Sequence, residues 1–198
     1  MKRIALLLAL ALSLAVPGVL FAQTENHVEF GAFADYYRFD QSNTINFVGA
    51  GGRIAFYANP WTSLEAEMAY DFSRNVTTTG SNTLNTSFTT TGLRPLHALF
   101  GPKFQFGSGA FDVFATGKLG FVHFNTTGNR NVGAVGSSFS NSVAGIVDGD
   151  TRFALYPGVG VEGFWGPFGL RADVGDEVYF LNGAHHNLRI TFGPHFRF

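Results

Sequence analysis

The stretch LRITFGPHFRF at residues 188–198 places an apolar residue at every second position. Successive side chains of a β-strand point to opposite faces, so a period of two predicts a strand with one apolar and one polar face. The polar face carries Arg189, Thr191, His195 and Arg197. A helix would instead need apolar positions three and four residues apart, so this segment predicts a strand.

Seven further segments show the same alternation at strand length. They cover residues 28–37, 48–57, 64–72, 96–106, 111–121, 152–165 and 168–180. Eight strands in one chain of 198 residues predict an all-β fold in a single domain.

The connections between these segments alternate in length. Tight turns containing Asn-Pro, Gly-Ser-Gly or Gly-Pro lie at residues 59–60, 107–109 and 166–167. Longer polar connections lie at residues 40–44, 75–91, 126–150 and 182–185. Short turns at one end and long loops at the other are typical of membrane barrels. The pattern predicts an eight-stranded antiparallel up-and-down transmembrane β-barrel, with short periplasmic turns and longer extracellular loops.

The composition also indicates a surface that does not face water. Only 14% of the residues are charged, against roughly 25% in soluble domains, and 16% are aromatic. A net charge of −1 and a hydrophobic fraction of 45% exclude a disordered chain and a basic nucleic-acid-binding face. The lack of cysteine excludes disulfides, thiolate metal sites and thiol catalysis.

The first 22 residues predict a cleaved signal peptide. Lys2 and Arg3 precede an apolar run at residues 4–16, and Pro17 interrupts the apolar character before the small residue Ala22. This order of charged, apolar and small residues is typical of export signals. An uncleaved anchor is the alternative, because residues 4–22 almost reach the length that spans a membrane. We expect cleavage after Ala22 and a barrel domain at residues 23–198.

Alternation alone does not tell which face lies inside, because a secreted lipocalin-like barrel turns its apolar face inward. Acidic and basic residues on the polar face are nearly balanced, and Arg is more frequent than Lys. Because an Arg side chain can bind two carboxylate oxygens, this balance suits ion pairs in a narrow lumen. We predict a lumen ion-pair network of Glu29, Asp35, Arg53, Glu65, Glu67, Asp71, Lys103, Lys118, Arg152, Glu162, Arg171, Asp173, Glu177, Arg189 and Arg197.

Two further polar-face residues are interpreted in the same way. His97 and His195 are expected to join the network. Glu65 and Glu67 lie two residues apart on one strand face, which would suit an acid–base pair. Arg53 on the neighbouring strand favours a structural salt bridge with them instead.

Aromatic residues concentrate at both ends of the segments and leave small aliphatic residues in the middle. Two aromatic belts at the lipid–water interfaces are typical of transmembrane barrels. The predicted belts include Trp61, Trp165, Tyr36 and Tyr70, and Tyr57 is assigned to the belt near the tight turns. The alternative is a soluble core that the same rings fill.

Together, the signal peptide, the eight segments and the terminal aromatic residue resemble small bacterial outer-membrane β-barrel proteins of the OmpA/OmpX-like kind, over residues 28–198. The resemblance implies a monomer in the outer membrane of a Gram-negative type of bacterium, in contact with outer-membrane lipid. It also implies that Phe192, Phe196 and Phe198 form the signal for the outer-membrane assembly machinery. The sequence ends with the eighth segment, so no periplasmic peptidoglycan-binding domain is expected.

Three functions are compatible with this pattern. The first is a non-enzymatic structural or surface-interaction role, in which a barrel with a filled lumen presents residues 75–91 and 126–150 to an unknown extracellular ligand. The second is a narrow channel or a conduit for a small apolar molecule, since glycines on the polar face would leave room inside. These glycines are Gly31, Gly49, Gly51, Gly101, Gly120, Gly158, Gly160, Gly175 and Gly193.

The third function is a lipid-modifying membrane enzyme. Its candidate bases are His123, His185 and His186, but none has a serine at H-x-S spacing. Because no nucleophile and base can be paired, we expect no catalytic residue, and we also expect no cofactor and no metal.

Overall fold

A computed structural model shows a closed β-barrel. It describes residues 27–40, 44–82, 85–107, 110–127 and 146–198, with the side chains of these residues except 78–82, 85–90 and 127. The predicted signal peptide at residues 1–22 and most of the predicted loop at residues 126–150 lie outside this part of the chain. In the described part, no helix is long and apolar enough to cross a membrane.

Nine strands build the sheet. They are β1 (Val28–Asp40), β2 (Thr44–Asn59), β3 (Thr62–Asp71), β4 (Arg74–Asn82), β5 (Asn85–Phe106), β6 (Phe111–Thr127), β7 (Asp150–Trp165), β8 (Phe168–Phe180) and β9 (Ala184–Arg197). The strand order is β3-β2-β1-β9-β8-β7-β6-β5-β4, and every pairing is antiparallel. An additional pairing of β3 with β5 closes the sheet into a barrel.

Strand β4 continues β3 past a break at Phe72 and Ser73, so the barrel wall has eight positions. This confirms the predicted eight-stranded antiparallel barrel. Pairing of β5 with β6 begins at Gly92, whereas residues 85–91 of β5 pair with β4. The β4–β5 hairpin therefore extends past the wall that β5 shares with β6.

The two ends of the barrel differ, and we name them by their connections. At the turn end, β2 joins β3, β5 joins β6, and β7 joins β8. At the loop end, β1 joins β2, β4 joins β5, β6 joins β7, and β8 joins β9.

Two predicted connections differ from the structure. The predicted loop at residues 75–91 is wrong, because β4 and β5 cover most of it. Its Thr-rich sequence lacks apolar alternation, and this concealed a strand pair that β-branched Thr favours. The connection between β8 and β9 is also shorter than predicted, since a turn with positive φ at Asn182 and Gly183 completes it before Ala184.

Burial alternates along the strands and settles which face lies inside. On β9, Arg189 and Thr191 are fully buried, whereas Ile190 and Phe192 are 40% and 56% exposed. The same holds on β3, where Glu65 is fully buried and Leu64 is exposed. The barrel is thus charged inside and apolar outside, as predicted. An apolar outer surface is favourable in lipid and unfavourable in water.

The part of the lumen nearest the loop end is apolar, so the predicted ion-pair network occupies only part of the lumen. Tyr37, Phe39, Phe47, Phe124 and Tyr179 are fully buried there. The rings of Phe39 and Tyr179 stack with centroids 6.0 Å apart, and Phe124 meets both rings edge-on. These positions lie on the same inward face of their strands as the charged residues. At the loop end, the inward face is therefore aromatic instead of polar.

Candidate functional site: the charged lumen

The network nearest the turn end is built on two carboxylates, Glu29 on β1 and Glu162 on β7. Lys103 Nζ lies 3.5 Å from a Glu29 oxygen and 3.1 Å from a Glu162 oxygen. Arg197 contacts the same two carboxylates at 3.2 and 3.4 Å. His195 Nδ1 lies 2.9 Å from Glu29 Oε1. Two carboxylates and two basic side chains thus contact one another at this level.

Tyr57 belongs to this layer and not to an aromatic belt, so its assignment to the belt is wrong. Its hydroxyl donates to Glu29 at 2.6 Å and accepts from Lys103 at 2.9 Å and from Arg197. Tyr57 shares the inward parity of Arg53 on β2, and that parity could have identified it.

The central layer joins opposite walls of the barrel. Arg171 on β8 binds Glu65 on β3 through two guanidinium nitrogens, and its Nε lies 3.2 Å from Asp173. Lys118 on β6 contacts Glu65 and lies 2.5 Å from Glu67. Each carboxylate in this layer contacts more than one basic side chain, so the central layer forms a continuous network.

Arg53 has a different partner from the predicted one. Its guanidinium lies 2.9 Å from Asp173 Oδ2 on β8, and it donates to Thr191 at 2.6 Å. Glu67 is the cross-strand neighbour of Arg53 in register, but its carboxylate is bound by Lys118 and Arg189. The expected pairing between adjacent strands is replaced by pairing across the lumen, because inward side chains point toward the barrel axis.

The layer nearest the aromatic residues centres on Arg189. Its guanidinium contacts Asp35 at 2.8 Å, Glu67 at 2.8 Å and Glu177 at 3.4 Å. His97 bridges two carboxylates, with Nδ1 2.6 Å from Glu177 and Nε2 3.1 Å from Asp71.

Carboxylates outnumber Lys and Arg side chains in the three layers. Eight carboxylates take part, against six Lys or Arg side chains. His97 and His195 each contact carboxylates through a ring nitrogen, so both imidazoles belong to the network as predicted. Hydrogen bonds to these rings lower the cost of burying the carboxylates.

Arg152 is the predicted network residue that lies apart. It pairs with Asp150 at 2.8 Å near the loop end, and its side chain is 30% exposed. Arg152 lies two residues from the start of β7, which is at the loop end, and so it is far along the barrel from the central layers. The other fourteen predicted residues contact one another or His97 in the lumen.

Several lumen residues were missed at the level of sequence. The guanidinium of Arg53 lies over Phe33 at 4.2 Å from the ring centroid, and that of Arg171 lies over Phe114 at 4.1 Å. Tyr156 donates to Asp173 at 2.9 Å. Their inward parity was available as a signal, but aromatic residues were expected at the interfaces with lipid.

The polar-face glycines do not leave open space. A methyl group at Gly51 would overlap the Phe33 ring, and one at Gly160 would overlap the Phe114 ring. At Gly120 and Gly193 it would overlap backbone atoms of the neighbouring strand. These glycines admit close packing of rings and strands, so the expectation of room inside the barrel is wrong.

The predicted belt residues lie on the outer surface. Trp61 and Trp165 are exposed at the turn end, and Tyr70 is exposed toward the loop end. Tyr36 is half-buried, and its hydroxyl donates to Asn46 at 3.0 Å. Of the residues proposed as an assembly signal, Phe192 and Phe198 are exposed, and Phe196 is partly buried against Phe168 and Phe198.

The histidines considered as catalytic bases have other partners. His123 contacts Thr151 at 2.7 Å, His185 contacts the Leu181 carbonyl at 2.7 Å, and His186 contacts Asp176 at 2.5 Å. Only the Thr151 hydroxyl among these partners could serve as a nucleophile, and no contact within the described residues joins His123 to a carboxylate that would orient it. The three contacts therefore do not assemble the nucleophile, base and orienting acid that acyl transfer needs.

Two buried groups have the donor types of a metal site. Glu29, Glu162 and His195 form one, and Asp35, Asp71 and His97 form the other. Lys103 and Arg197 already contact both carboxylates of the first group. In the second group, Arg189 contacts Asp35. Built-in cations therefore supply much of the charge that a metal ion would bring.

No family model matches the chain, and the comparison with curated proteins gives no match. Solved structures share its fold. The N-terminal β-barrel domain of Pseudomonas aeruginosa OprF is 14% identical with a TM-score of 0.55, covering 89% of this chain and all of that one. Neisserial surface protein A is 9% identical with a TM-score of 0.55, over 86% of this chain and 97% of that one. Ail, the attachment invasion locus protein of Yersinia pestis, is 13% identical with a TM-score of 0.53, over 88% of this chain and all of that one. The fold is that of small outer-membrane β-barrels.

Proposed function

We propose that this chain is a non-enzymatic integral protein of the bacterial outer membrane, with a closed lumen and a structural or surface-interaction role at its loop end. The single observation that carries the closed lumen is the bidentate pair of Arg171 and Glu65. Strands β8 and β3 lie four positions apart in an eight-position wall, which is the full diameter. A solute on the barrel axis would have to break this pair.

Other pairs cross the lumen in different directions, in the central layer or in the layer nearest the turn end. Arg53 on β2 reaches Asp173 on β8, and Lys103 on β5 reaches Glu29 on β1. Each of these pairs joins strands three positions apart. Nearer the loop end, the buried rings of Phe39, Phe124 and Tyr179 add an apolar layer above the ions. Ion and water passage would require both layers to open, and this supports a plugged barrel over a channel.

The outer surface supports insertion in a lipid bilayer. Large apolar side chains such as Phe100, Leu119 and Phe192 are about half exposed in the middle of their strands. Contiguous apolar surface of this kind is unfavourable in water, while an outward apolar band is what a bilayer requires. The fold shared with outer-membrane barrels points to the outer membrane as that bilayer.

The β4–β5 hairpin is the main candidate for surface interaction. Residues 75–92 contain no Lys, Arg, Asp or Glu, and β4 ends the strand order on one side. An edge strand without charge offers its backbone to an added strand. This supports recognition of an extended peptide or a neutral surface rather than a charged ligand.

Labelling on intact cells tests this topology, and the lack of cysteine makes the experiment clean. Asn75→Cys places a thiol at the start of β4, and Asn59→Cys places a matched one at the turn end; both positions are exposed. We expect a membrane-impermeant maleimide to label position 75 on intact cells and position 59 only after permeabilisation. Equal labelling of both positions, or recovery of the protein in a soluble fraction, would contradict the proposal.

A further inference from the structure

We propose that Arg38, Arg74 and Arg94 form a site for phosphate groups of anionic lipids in the leaflet at the loop end. This site rests on the membrane location proposed above. The three residues lie on β1, β4 and β5. They follow one side of the barrel, where β1, β2, β3 and β5 are successive wall positions and β4 continues β3.

The distribution of basic residues is strongly asymmetric. Among the described residues, seven Lys or Arg have lumen-facing positions, and the remaining three are Arg38, Arg74 and Arg94. All three lie at the loop end. The described outer surface of the turn end carries residues such as Phe106 and Trp165, without Lys or Arg. Within the part of the chain that the structure describes, the outward-facing basic side chains therefore lie on the side of one leaflet.

Asn46 on β2 holds two of these arginines near each other. Arg38 is its partner in the β1–β2 register, and Arg74 Nε donates to its backbone oxygen at 3.1 Å. The Asn46 side chain accepts from the Tyr36 hydroxyl at 3.0 Å. The guanidinium of Arg74 thus spans the space between β2 and β4, with its terminal nitrogens left for a ligand.

Arg94 is positioned by an aromatic ring. Its guanidinium carbon lies 5.8 Å from the ring centroid of Tyr70, a belt residue that is 40% exposed. Its Nε is buried and has no hydrogen-bond partner in the described part of the chain. Because Arg94 as a whole is only partly buried, a phosphate at the surface would bind through the terminal nitrogens of its guanidinium.

The depth of Arg38 and Arg94 matches the level of lipid headgroups. Arg38 lies two residues past Tyr36 toward the loop end, and Arg94 lies two residues past Leu96, the register partner of Tyr70. Two residues along a strand correspond to about 7 Å. Tyr side chains mark the interface of the hydrocarbon layer, so guanidinium groups just beyond them reach the phosphates.

Nearby carboxylates leave most of this charge available. Asp40 lies 3.8 Å from Arg38, but both side chains are about half exposed, and Asp40 also accepts from Thr44. Asp176 contacts His186 on the far side of Arg38, across a groove of about 410 Å³. Within the described residues, Arg74 and Arg94 have no carboxylate partner. The planar fork of Arg also suits bidentate binding of phosphate.

Native mass spectrometry of the detergent-solubilised barrel tests the site. The probes are phosphatidylglycerol, phosphatidylcholine and inorganic phosphate. The variants are Arg38→Gln, Arg74→Gln, Arg94→Gln and their combination. Arg152→Gln is the matched control, because it removes one positive charge from the same end on the lumen side. Heat-dependent gel migration of each variant reports whether the barrel is folded.

We expect each outer variant to weaken phosphatidylglycerol binding about fivefold, since a basic residue near an anionic surface contributes about 1 kcal/mol. The triple variant should lose about a hundredfold by the same principle, and Arg152→Gln should bind as the parent. Equal binding of both lipids, or unchanged binding by a folded triple variant, would overturn the site. Full competition by inorganic phosphate at equal phosphate concentration would overturn its assignment to lipid. Failure of the parent to fold in detergent would instead count against the proposed function.

Discussion

Arg171 and Glu65 form a bidentate ion pair between β8 and β3, the two strands that face each other across the barrel. Both side chains are shielded from solvent, and Asp173 and Lys118 share the same two groups. A barrel of eight strands is narrow enough for such a contact to span it. The pair therefore ties opposite walls together and occupies the axis at the same time.

Arg171→Ala should destabilise the folded barrel by about 3–5 kcal/mol, because it leaves the buried Glu65 without its bidentate partner. The double variant Arg171→Met with Glu65→Gln should lose less, since no unpaired charge remains. Denaturant titration of detergent-refolded protein, followed by circular dichroism, measures both. If the unfolding midpoint of Arg171→Ala equals that of the parent protein, water can solvate Glu65 in place of the guanidinium, and the pair is not needed for stability.

Tyr57→Phe should lower the free energy of unfolding by about 1–3 kcal/mol, because the lost hydroxyl bonds to three ionic partners that are buried or largely buried. Those partners are Glu29, Lys103 and Arg197. Tyr36→Phe is the matched control, since its hydroxyl bonds to Asn46 on the exposed outer surface. We expect the control to shift the unfolding midpoint little. Equal effects of the two substitutions would place Tyr57 outside the network.

Gly120→Ala should destabilise the barrel by about 1–3 kcal/mol, because overpacking at a backbone contact forces strands apart. The added methyl would overlap the backbone of Ala98 and Leu99 on β5. Gly117→Ala on the same strand is the control, since no atom lies within 4 Å of the added carbon. Comparison of the two unfolding midpoints checks the account. Similar tolerance of both would indicate a lumen with free space.

His97→Gln should weaken the barrel, since Asp71 and Glu177 would lose the imidazole that bridges them. Adding Glu177→Gln removes one of the two negative charges and should recover part of the loss. The measurement is again the denaturant midpoint of refolded protein. A double variant less stable than His97→Gln alone would show that charge balance is not the reason for this histidine.

Much of the fold could be predicted from the sequence, because the period of two is direct evidence of strands. The residues of β9 show this, with Arg189 inside and Ile190 outside as the alternation requires. The β4–β5 hairpin could not be found in this way, since Thr-rich segments carry no apolar face. Pairing there depends on the neighbouring strand rather than on burial.

The lumen residues were accessible to sequence reasoning, but their partners were not. Parity identifies Arg53 and Glu67 as inward residues and places them side by side, yet Arg53 binds Asp173 from the other wall. Which inward side chains meet depends on strand tilt and barrel closure. The inward rings of Phe33, Phe114 and Tyr156 were missed because aromatic residues are expected at both the lipid interface and the core.

The most direct test of the closed lumen is single-channel recording in planar bilayers. Heat-modifiable, refolded protein should insert and give no stable conductance, because ion pairs and buried rings block the axis. A variant that combines Arg171→Ala, Glu65→Ala and Phe39→Ala removes the diametric pair and one ring of the apolar layer, and it should conduct if it folds. Steady conductance through the parent protein, at levels matching the variant, would contradict the account.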